Sequence, residues 1–337
     1  MKLKKTSLAT ALVAALAMGA AGQASASVYA GSQLEISNLV LLFVDQTSGN
    51  TLTGINPSFT FNVDDSATLN GATDANGGAC FGTPGSNNCG AAPVLGIDAA
   101  NAPGSDIIRA NNDYSLGGQI NQTYANSNAE IAAAQLVTGT PTDILQVAEA
   151  EITGTGQAQA LADIQSNTGF TLTFTVTNPG PVQLRLGFFA DLDMEADVTL
   201  VPPNTLGLAQ ANSNVTFSLT QTQGGNGFAT WTPRGTGADG ICVNGLLCSN
   251  EINAETLNIT LGAGPATSNT AYAVVNGQYQ LWVSGLTAGS YTLTGGARQS
   301  VNVAQVPEPG TLVLIGGALA ALGIGGVRRR RETVKAG

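Results

Sequence analysis

Histidine is absent from the whole sequence of 337 residues, and lysine is absent between Lys5 and Lys335. Without histidine the chain lacks the usual general base at neutral pH, the usual partner of a serine or cysteine nucleophile, and the commonest zinc ligand. Without lysine in its long central part, it also lacks the amine that forms Schiff bases with carbonyl substrates. Few reaction classes remain, so the composition predicts a protein that is not an enzyme and needs no cofactor.

Positive charge of any kind is scarce between the two ends. Residues 27–306 contain four arginines against 20 aspartates and glutamates, which gives this part a net charge of −16. A surface with so strong a negative charge repels phosphate backbones, which excludes nucleic acid as a partner. The same surface suits divalent cations and neutral or basic partners.

The first 26 residues have the three parts of a secretory signal peptide. Three lysines, the last of them Lys5, precede an uncharged apolar stretch at 8–20, and Ala24-Ser25-Ala26 supplies the small residues of a cleavage site. The apolar stretch is too short and too rich in alanine to span a membrane stably. We therefore predict a signal peptide at 1–26, recognised by the Sec export machinery and cleaved after Ala26.

A second apolar stretch lies close to the other end of the sequence. Residues 311–327 carry no charge over 17 positions, which corresponds to about 25 Å of helix and predicts a transmembrane helix. Four arginines follow it directly, namely Arg328, Arg329, Arg330 and Arg331. Because positive charge is retained on the cytoplasmic side, this cluster stops transfer, residues 332–337 form a cytoplasmic tail, and the rest of the chain lies outside.

The motif Pro307-Glu308-Pro309 stands just before this stretch. Proline fixes φ and lacks an N–H, so the motif stays extended and accessible to a processing enzyme. Motif, apolar helix and arginine cluster together resemble the PEP-CTERM sorting signal, here at 307–331. The resemblance implies processing at the motif by an exosortase, a membrane-embedded enzyme similar to cysteine transpeptidases. It also implies a Gram-negative bacterium that forms biofilms or flocs and exports exopolysaccharide.

A second resemblance covers Ala148 to Val306. An Asn-Thr-Gly-Phe stretch at 167–170, followed by the strand pattern F-x-A-D-x-x-x-x-A at 188–196, is similar to the exosortase-dependent surface protein family. This resemblance implies a location and a type of domain. It supplies no catalytic residues.

The central part, 27–306, is predicted to be one exported domain rich in β-strands. After Thr168 the sequence alternates apolar residues with threonines, and a second alternation begins at Val182, beyond the turn residues 178–181. Two such strands joined by an Asn-Pro-Gly-Pro turn predict a hairpin. More short strands follow, each bounded by Gly, Asn or Pro. The pattern predicts an all-β fold, an antiparallel β-sandwich of jelly-roll-like type.

Residues 64–128 interrupt this pattern with a sequence rich in glycine, alanine, asparagine and aspartate. They are predicted to be loop-rich, and partial disorder of this segment remains open. A short helix is predicted at 129–136, where Asn128 has the right side chain to cap the first turn. Periodicity does not decide between helix and strand at 144–152.

The four cysteines fall into two close pairs, Cys80 with Cys89 and Cys242 with Cys248. Each pair is separated by residues typical of loops, and an even number of cysteines in an exported chain favours disulfides. A zinc site is less favoured because the C-x₂-C spacing is missing. Two local disulfides are therefore predicted, each of which staples a loop.

Four carboxylates alternate along one predicted strand, namely Asp191, Asp193, Glu195 and Asp197. Alternation places them on one face, where oxygen ligands could hold Ca²⁺. However, successive side chains on one face of a strand lie nearly 7 Å apart, too far for all four to bind one ion. An acidic face in contact with water is therefore the favoured interpretation, and calcium is the alternative.

Together these features predict an exported protein that is held in the inner membrane for a short time, processed by exosortase, and delivered to the cell surface or the extracellular matrix. Its expected role there is structural or adhesive, in biofilm, floc or exopolysaccharide matrix. A polysaccharide-binding module, with or without assistance from Ca²⁺, is the alternative. A glycan-degrading enzyme is a third and weaker one, because the sequence marks no pair of catalytic carboxylates in a cleft.

Overall fold

Strands dominate the computed structural model. It describes residues 27–83, 86–87, 95–100, 123–132, 136, 141–153, 160–177, 180–199, 205–264 and 268–307. Within these ranges it contains no helix and the following strands: β1 (Ser27–Asp45), β2 (Ser58–Leu69), β3 (Ala72–Thr83), β4 (Ser86–Asn87), β5 (Leu95–Ala100), β6 (Tyr124–Ala132), β7 (Thr142–Thr153), β8 (Ala160–Val176), β9 (Val182–Thr199), β10 (Thr205–Gln223), β11 (Phe228–Trp231), β12 (Gly240–Val243), β13 (Leu247–Asn253), β14 (Ile259–Ala263), β15 (Asn269–Leu286) and β16 (Gly289–Pro307).

The strands form two antiparallel sheets that pack face to face. Sheet A has the order β13-β15-β9-β1-β7-β6-β5. Sheet B has the order β12-β11-β10-β16-β8-β2-β3-β4, and β14 pairs with β10 on the same side as β11. The predicted all-β fold and antiparallel sandwich are therefore confirmed.

The core between the sheets is rich in aromatic rings. Phe188 of β9 stacks on Tyr279 with ring centres 5.0 Å apart, and it contacts Phe217 at 5.6 Å and Trp231 at 5.8 Å. Phe188 and Tyr279 belong to sheet A, whereas Phe217 and Trp231 belong to sheet B, so this cluster joins the sheets. Its burial agrees with the alternation in the sequence, because the predicted inward residues of β9 from Leu184 to Val198 are all buried.

The predicted hairpin between the strands before and after residues 178–181 is wrong. β8 lies in sheet B, between β16 and β2, whereas β9 lies in sheet A, between β1 and β15. The connection therefore carries the chain from one sheet to the other. The physical reason is that each strand has a largely apolar face, and each face is buried when its strand packs against the opposite sheet across the core.

Two further predictions fail in the first half of the chain. β6 occupies the start of the helix predicted at 129–136, and strands β2, β3, β5 and β6 occupy described parts of the segment 64–128 that was predicted to be loop-rich. Pairing with long, regular neighbours compensates for the weak strand preference of glycine, asparagine and alanine. The undecided segment at 144–152 is a strand, β7.

A few polar side chains cross the core and hydrogen-bond to each other. The Ser32 hydroxyl of sheet A donates to Gln299 Oε1 of sheet B at 2.5 Å, and Gln299 Nε2 donates to the Ser213 hydroxyl at 3.1 Å. Gln146 Nε2 donates to the backbone oxygens of Ser166 and Ala297. Because buried polar groups are costly without partners, these bonds favour one alignment of the two sheets.

Candidate functional site

The sorting segment leaves the sandwich at the end of β16. Pro307, the first residue of the Pro-Glu-Pro motif, pairs with Thr205 at the start of β10, and Gln305 pairs with Gly207 of β10 and Ala160 of β8. Gln305 is buried, so the strand is held by neighbours on both sides almost to the motif. Proline has no N–H to donate, which makes Pro307 a natural last residue of a paired strand. Glu308, Pro309 and the arginine cluster lie outside the described residues.

At the other end of the domain, β1 begins at Ser27. This residue directly follows the predicted cleavage site, and Ala26 itself lies outside the described residues. Cleavage after Ala26 therefore stays a prediction.

One edge of the sandwich is closed by a disulfide between the two sheets. Cys242 lies in β12, the edge strand of sheet B, and Cys248 lies in β13, the edge strand of sheet A. The predicted pairing of these two cysteines is confirmed, but its role differs from the expected staple of a loop, because it joins the sheets. Cys80 is also disulfide-bonded, and Cys89, its predicted partner, lies outside the described residues.

A carboxylate strengthens the same edge. Glu251 of β13 accepts hydrogen bonds from Trp231 Nε1 at 3.0 Å, from Asp239 N at 2.8 Å and from Gly240 N at 3.0 Å. Trp231 belongs to β11 in sheet B, so these bonds also run between the sheets. We call this region, made of the Cys242–Cys248 disulfide and these bonds to Glu251, the stapled edge.

Asp239 organises the loop that precedes β12 at the stapled edge. Burial alone would raise its pKa, but hydrogen bonds from the Thr236 hydroxyl and from the Arg234 and Thr236 N–H groups outweigh burial and lower the pKa. Asn253 Nδ2 also donates to Asp239 Oδ2 at 2.9 Å. The loop is therefore fixed by an ionised carboxylate, and the arrangement is structural.

The four predicted calcium ligands lie on the outer face of sheet A, and three of them accept a hydrogen bond from a neighbouring group. Asp191 Oδ1 accepts from Asn276 N at 2.6 Å, Glu195 Oε1 accepts from Asn269 Nδ2 at 3.3 Å, and Asp197 Oδ2 accepts from the Thr199 hydroxyl at 2.9 Å. Asp193 is exposed beside them on β9. Within the described ranges, His, Cys, Asp and Glu side chains form no group of three or more that could hold a metal ion.

The acidic surface continues from β9 across β1 to β7. Tyr29 of β1 pairs with Asp197 on one side and Glu151 on the other, and its hydroxyl donates to Glu149 Oε1 at 3.0 Å. Burial raises the pKa of Glu151, the hydrogen bond from the Ser27 hydroxyl lowers it, and the charges of Glu149 and Asp197 raise it again, so the pKa is raised overall. We call the surface from Asp191–Asp197 across Tyr29 to Glu151 the acidic face; Glu149 itself is buried.

A groove of about 620 Å³ opens on the same side of sheet A, beyond Asp191. Amide side chains of Asn38, Gln278 and Gln280 line it, together with Phe189, which is 37% exposed. A register shift in β1 near Asn38, where φ is +56°, and another in β15 before Gly277 interrupt the regular strands there. An exposed ring surrounded by amides suits a neutral ligand with hydroxyl groups, and the volume lies in the range of small-molecule sites.

Comparison with protein-family models matches residues 305–331 to the PEP-CTERM protein-sorting motif. The chain carries a PEP-CTERM sorting motif. The match includes the end of β16 and the predicted sorting signal, and it confirms that prediction. Neither the curated proteins nor the solved structures contain a match to the chain. The resemblance of 148–306 to the exosortase-dependent surface protein family therefore stays a prediction.

The PEP-CTERM motif identifies an exported protein that is targeted to exosortase and held by a C-terminal membrane anchor before cleavage. The predicted anchor helix at 311–327 lies outside the described residues. Among the residues that are described, no helix is long and apolar enough to cross a membrane.

Sequence reasoning found the PEP-CTERM motif but missed the groove and the stapled edge. Phe189 was a signal for the groove, because it is the only large apolar residue at an outward position of β9. The hydrogen bond from Trp231 to Glu251 was not predicted, because it joins residues of different sheets and no local sequence pattern indicates such a contact. Such contacts depend on the path of the chain between the sheets, which local patterns do not specify.

Proposed function

We propose that the chain is a structural or adhesive protein of the cell surface or the extracellular matrix, exported through the Sec machinery and released to its final location by exosortase. The observation that carries the proposal is the PEP-CTERM motif directly attached to the last strand of a rigid β-sandwich. Because β16 is paired until Pro307, processing at the motif would leave the sandwich whole.

The shape of the domain supports this role. Its principal strands, such as β1 and β10, run for 19 residues, and both sheets present broad, regular outer faces. Long antiparallel strands and a disulfide favour resistance to unfolding and proteolysis outside the cell. We assign no catalytic step to the chain, because it lacks histidine and has no lysine between Lys5 and Lys335.

A deletion strain of the source bacterium tests the role directly. We expect it to lose cell aggregation or biofilm mass, and to regain both with the full chain. A matched variant with Pro307, Glu308 and Pro309 replaced by alanine should fail to restore them, since it folds but is not sorted. Aggregation that persists in the deletion strain, or that the unsorted variant restores, would contradict the proposal.

The groove supports a second candidate function, the binding of a neutral polysaccharide. Phe189→Ala and Gln278→Ala should each reduce the retardation of the protein in gels that contain the strain's own exopolysaccharide, whereas Thr171→Ala, on sheet B, should leave it unchanged. We expect the same retardation with EDTA and with added calcium. Release of reducing sugar by the purified protein would instead support a glycan-degrading enzyme.

A further inference from the structure

The outer face of sheet B differs from the acidic face in that it consists of hydroxyl side chains in register. One row crosses seven strands, and its members lie directly opposite each other on neighbouring strands: Ile241, Thr230, Ser218, Thr294, Thr171, Thr60 and Phe81. The next row contains Thr220, Thr292, Thr173 and Ser58. A further pair, Thr175 with Ser290, lies above these two rows, and the row from Thr216 to Asn62 lies below them. Together they form a surface that we call the hydroxyl face.

The hydroxyl face is exposed and uncharged. Thr60, Thr171 and Thr294 are all exposed, and no described residue of these rows is an acid or a base. β-branched threonine has few rotamers in a strand, so ordering these side chains against a partner costs little entropy. Two exposed apolar residues, Ile241 at 58% and Phe81 at 62%, lie at the two ends of one row.

The first charges appear in the row below, and they have opposite signs. Arg298 of β16 and Asp64 of β2 lie on either side of Asn167 of β8. Both are exposed, and Arg298 forms no ion pair with any described residue. Arg185, by contrast, lies over the Trp282 ring at 3.9 Å. Arg298 and Asp64 therefore place one charge of each sign at the border of the neutral face.

We propose that the hydroxyl face is the contact surface between two copies of this chain, which associate face to face through sheet B. Charge selects this face for contact between copies, since two copies with a net charge of −16 over residues 27–306 repel each other wherever their acidic faces approach. Contact through sheet B keeps the acidic faces on the two outer sides of the pair.

The size of the hydroxyl face is sufficient for a dimer. The rows of this face hold seven, four, two and four positions. With strands about 4.8 Å apart and rows about 6.7 Å apart, these positions cover about 550 Å² on each copy, or about 1,100 Å² in the pair. This area lies near the lower limit for a specific interface, about 1,000 Å².

Two-fold symmetry about β8 completes the arrangement. An axis parallel to β8 places β16 of one copy opposite β2 of the other, so Arg298 faces Asp64 of the second copy, twice in the dimer. Thr294 then faces Thr60, and Thr171 lies on the axis opposite itself. A twist of about 30° between stacked sheets displaces facing residues progressively along the strands, so these pairs meet when the sheets cross close to the row of Arg298, Asn167 and Asp64. The proposal rests on register and charge, so it stands or falls independently of the matrix role.

Charge reversal in the full chain, purified in mild detergent, tests the pairing. We expect sedimentation to show a dimer, and Arg298→Asp and Asp64→Arg each to weaken it about tenfold or more, because like charges then meet across the axis. The double variant restores both pairs and should restore the dimer. The control Gln278→Glu adds negative charge on sheet A and should leave the dimer unchanged.

Cross-linking tests the geometry separately. Stacked sheets lie about 10 Å apart, so Thr171→Cys should be joined to its own copy by a thiol cross-linker with a spacer of about 10 Å. Gln33→Cys, at the centre of the outer face of sheet A, should not. Several results would overturn the proposal: a monomer at all concentrations, single reversals without effect, a double variant that stays dissociated, or equal cross-linking at position 33.

Discussion

The two outer faces of the sandwich rest on the same interior but differ in chemistry. On sheet A, Glu35 lies directly opposite Asp191, and Tyr29 lies between Asp197 and Glu151. On sheet B, the corresponding positions carry threonines in register, such as Thr171 between Thr60 and Thr294. The strands are of similar length, and the inward residues on both sides are large and apolar.

This difference shows which positions the fold determines and which it leaves free. Inward positions must be apolar because they fill the core, whereas outward positions on a strand tolerate acid and hydroxyl alike. Like charges placed opposite each other on neighbouring strands even oppose folding. The acidic face is therefore a feature that the stability of the domain does not require, and its explanation must lie in solubility and contacts outside the cell.

The largest predicted effect on stability comes from comparing a tryptophan in the core with a tryptophan on an outer face. Trp231→Ala should lower the free energy of unfolding by about 3–5 kcal/mol, because it empties a filled site in the core and removes the donor to Glu251. Trp282→Ala removes a ring of equal size from the outer side of sheet A and should cost about 1 kcal/mol or less. Urea unfolding measures the free energy of unfolding of both variants. Equal decreases would show that the outer face contributes as much to stability as the core, which would contradict the comparison.

The disulfide of the stapled edge comes next. Replacing Cys242 and Cys248 by serine should cost about 2–3 kcal/mol, because the bridge restricts the unfolded chain. It should also increase hydrogen exchange in β12 and β13 more than in the central strands β1 and β16. Uniform exchange throughout both sheets would contradict a local role for the bridge.

A smaller effect distinguishes the two faces directly. Glu35→Gln removes one of two like charges that lie opposite each other on sheet A and should stabilise the protein by about 0.2–1 kcal/mol at low ionic strength. The gain should disappear in about 1 M salt, where charges are screened. Thr171→Val, at a matching position on sheet B, should change the free energy of unfolding by the same amount at both salt concentrations. A gain that survives high salt would show that repulsion is not its cause.

The pH dependence of stability should have opposite signs at the stapled edge and the acidic face. The lowered pKa of Asp239 stabilises the folded state above the unfolded pKa of 3.8, and this contribution is lost as the pH falls through the folded value. The raised pKa of Glu151 means that the folded state gains stability as the pH falls from the folded value towards 4.5.

Two variants separate these contributions in thermal unfolding between pH 2 and pH 8. Asp239→Asn should flatten the loss of stability at the acid end. Glu151→Gln should be more stable than the unaltered protein at neutral pH and equal to it below pH 4.5. Parallel curves for all three proteins would show that neither carboxyl group has the stated effect.

The sequence predicted the strand class and the buried face of β9 because alternation is a local property. From Leu184 to Val198 every second residue is apolar, and these apolar residues are the ones that are buried. It did not predict that β8 and β9 lie in different sheets, because a turn with two prolines is compatible with a hairpin and with a crossing alike. It also missed β6, whose asparagines and alanines favour a strand only when β7 is beside them.

The candidate site divides in the same way. The Pro-Glu-Pro motif is contiguous, so the sorting signal at 307–331 was recognisable from the sequence alone, and the family match at 305–331 confirms it. The groove and the bonds to Glu251 join residues from distant strands, and register between strands decides them. Register also creates the hydroxyl face, since the threonines of β8, β10 and β16 form rows only when their strands are aligned.

Export and processing are the central claim, and mass spectrometry of the protein recovered from the source bacterium tests them most directly. We predict a chain outside the cytoplasm that begins at Ser27, ends at or near the Pro-Glu-Pro motif, and lacks the arginine cluster. Recovery of the intact chain from Met1 to Gly337 in the cytosol would contradict the account.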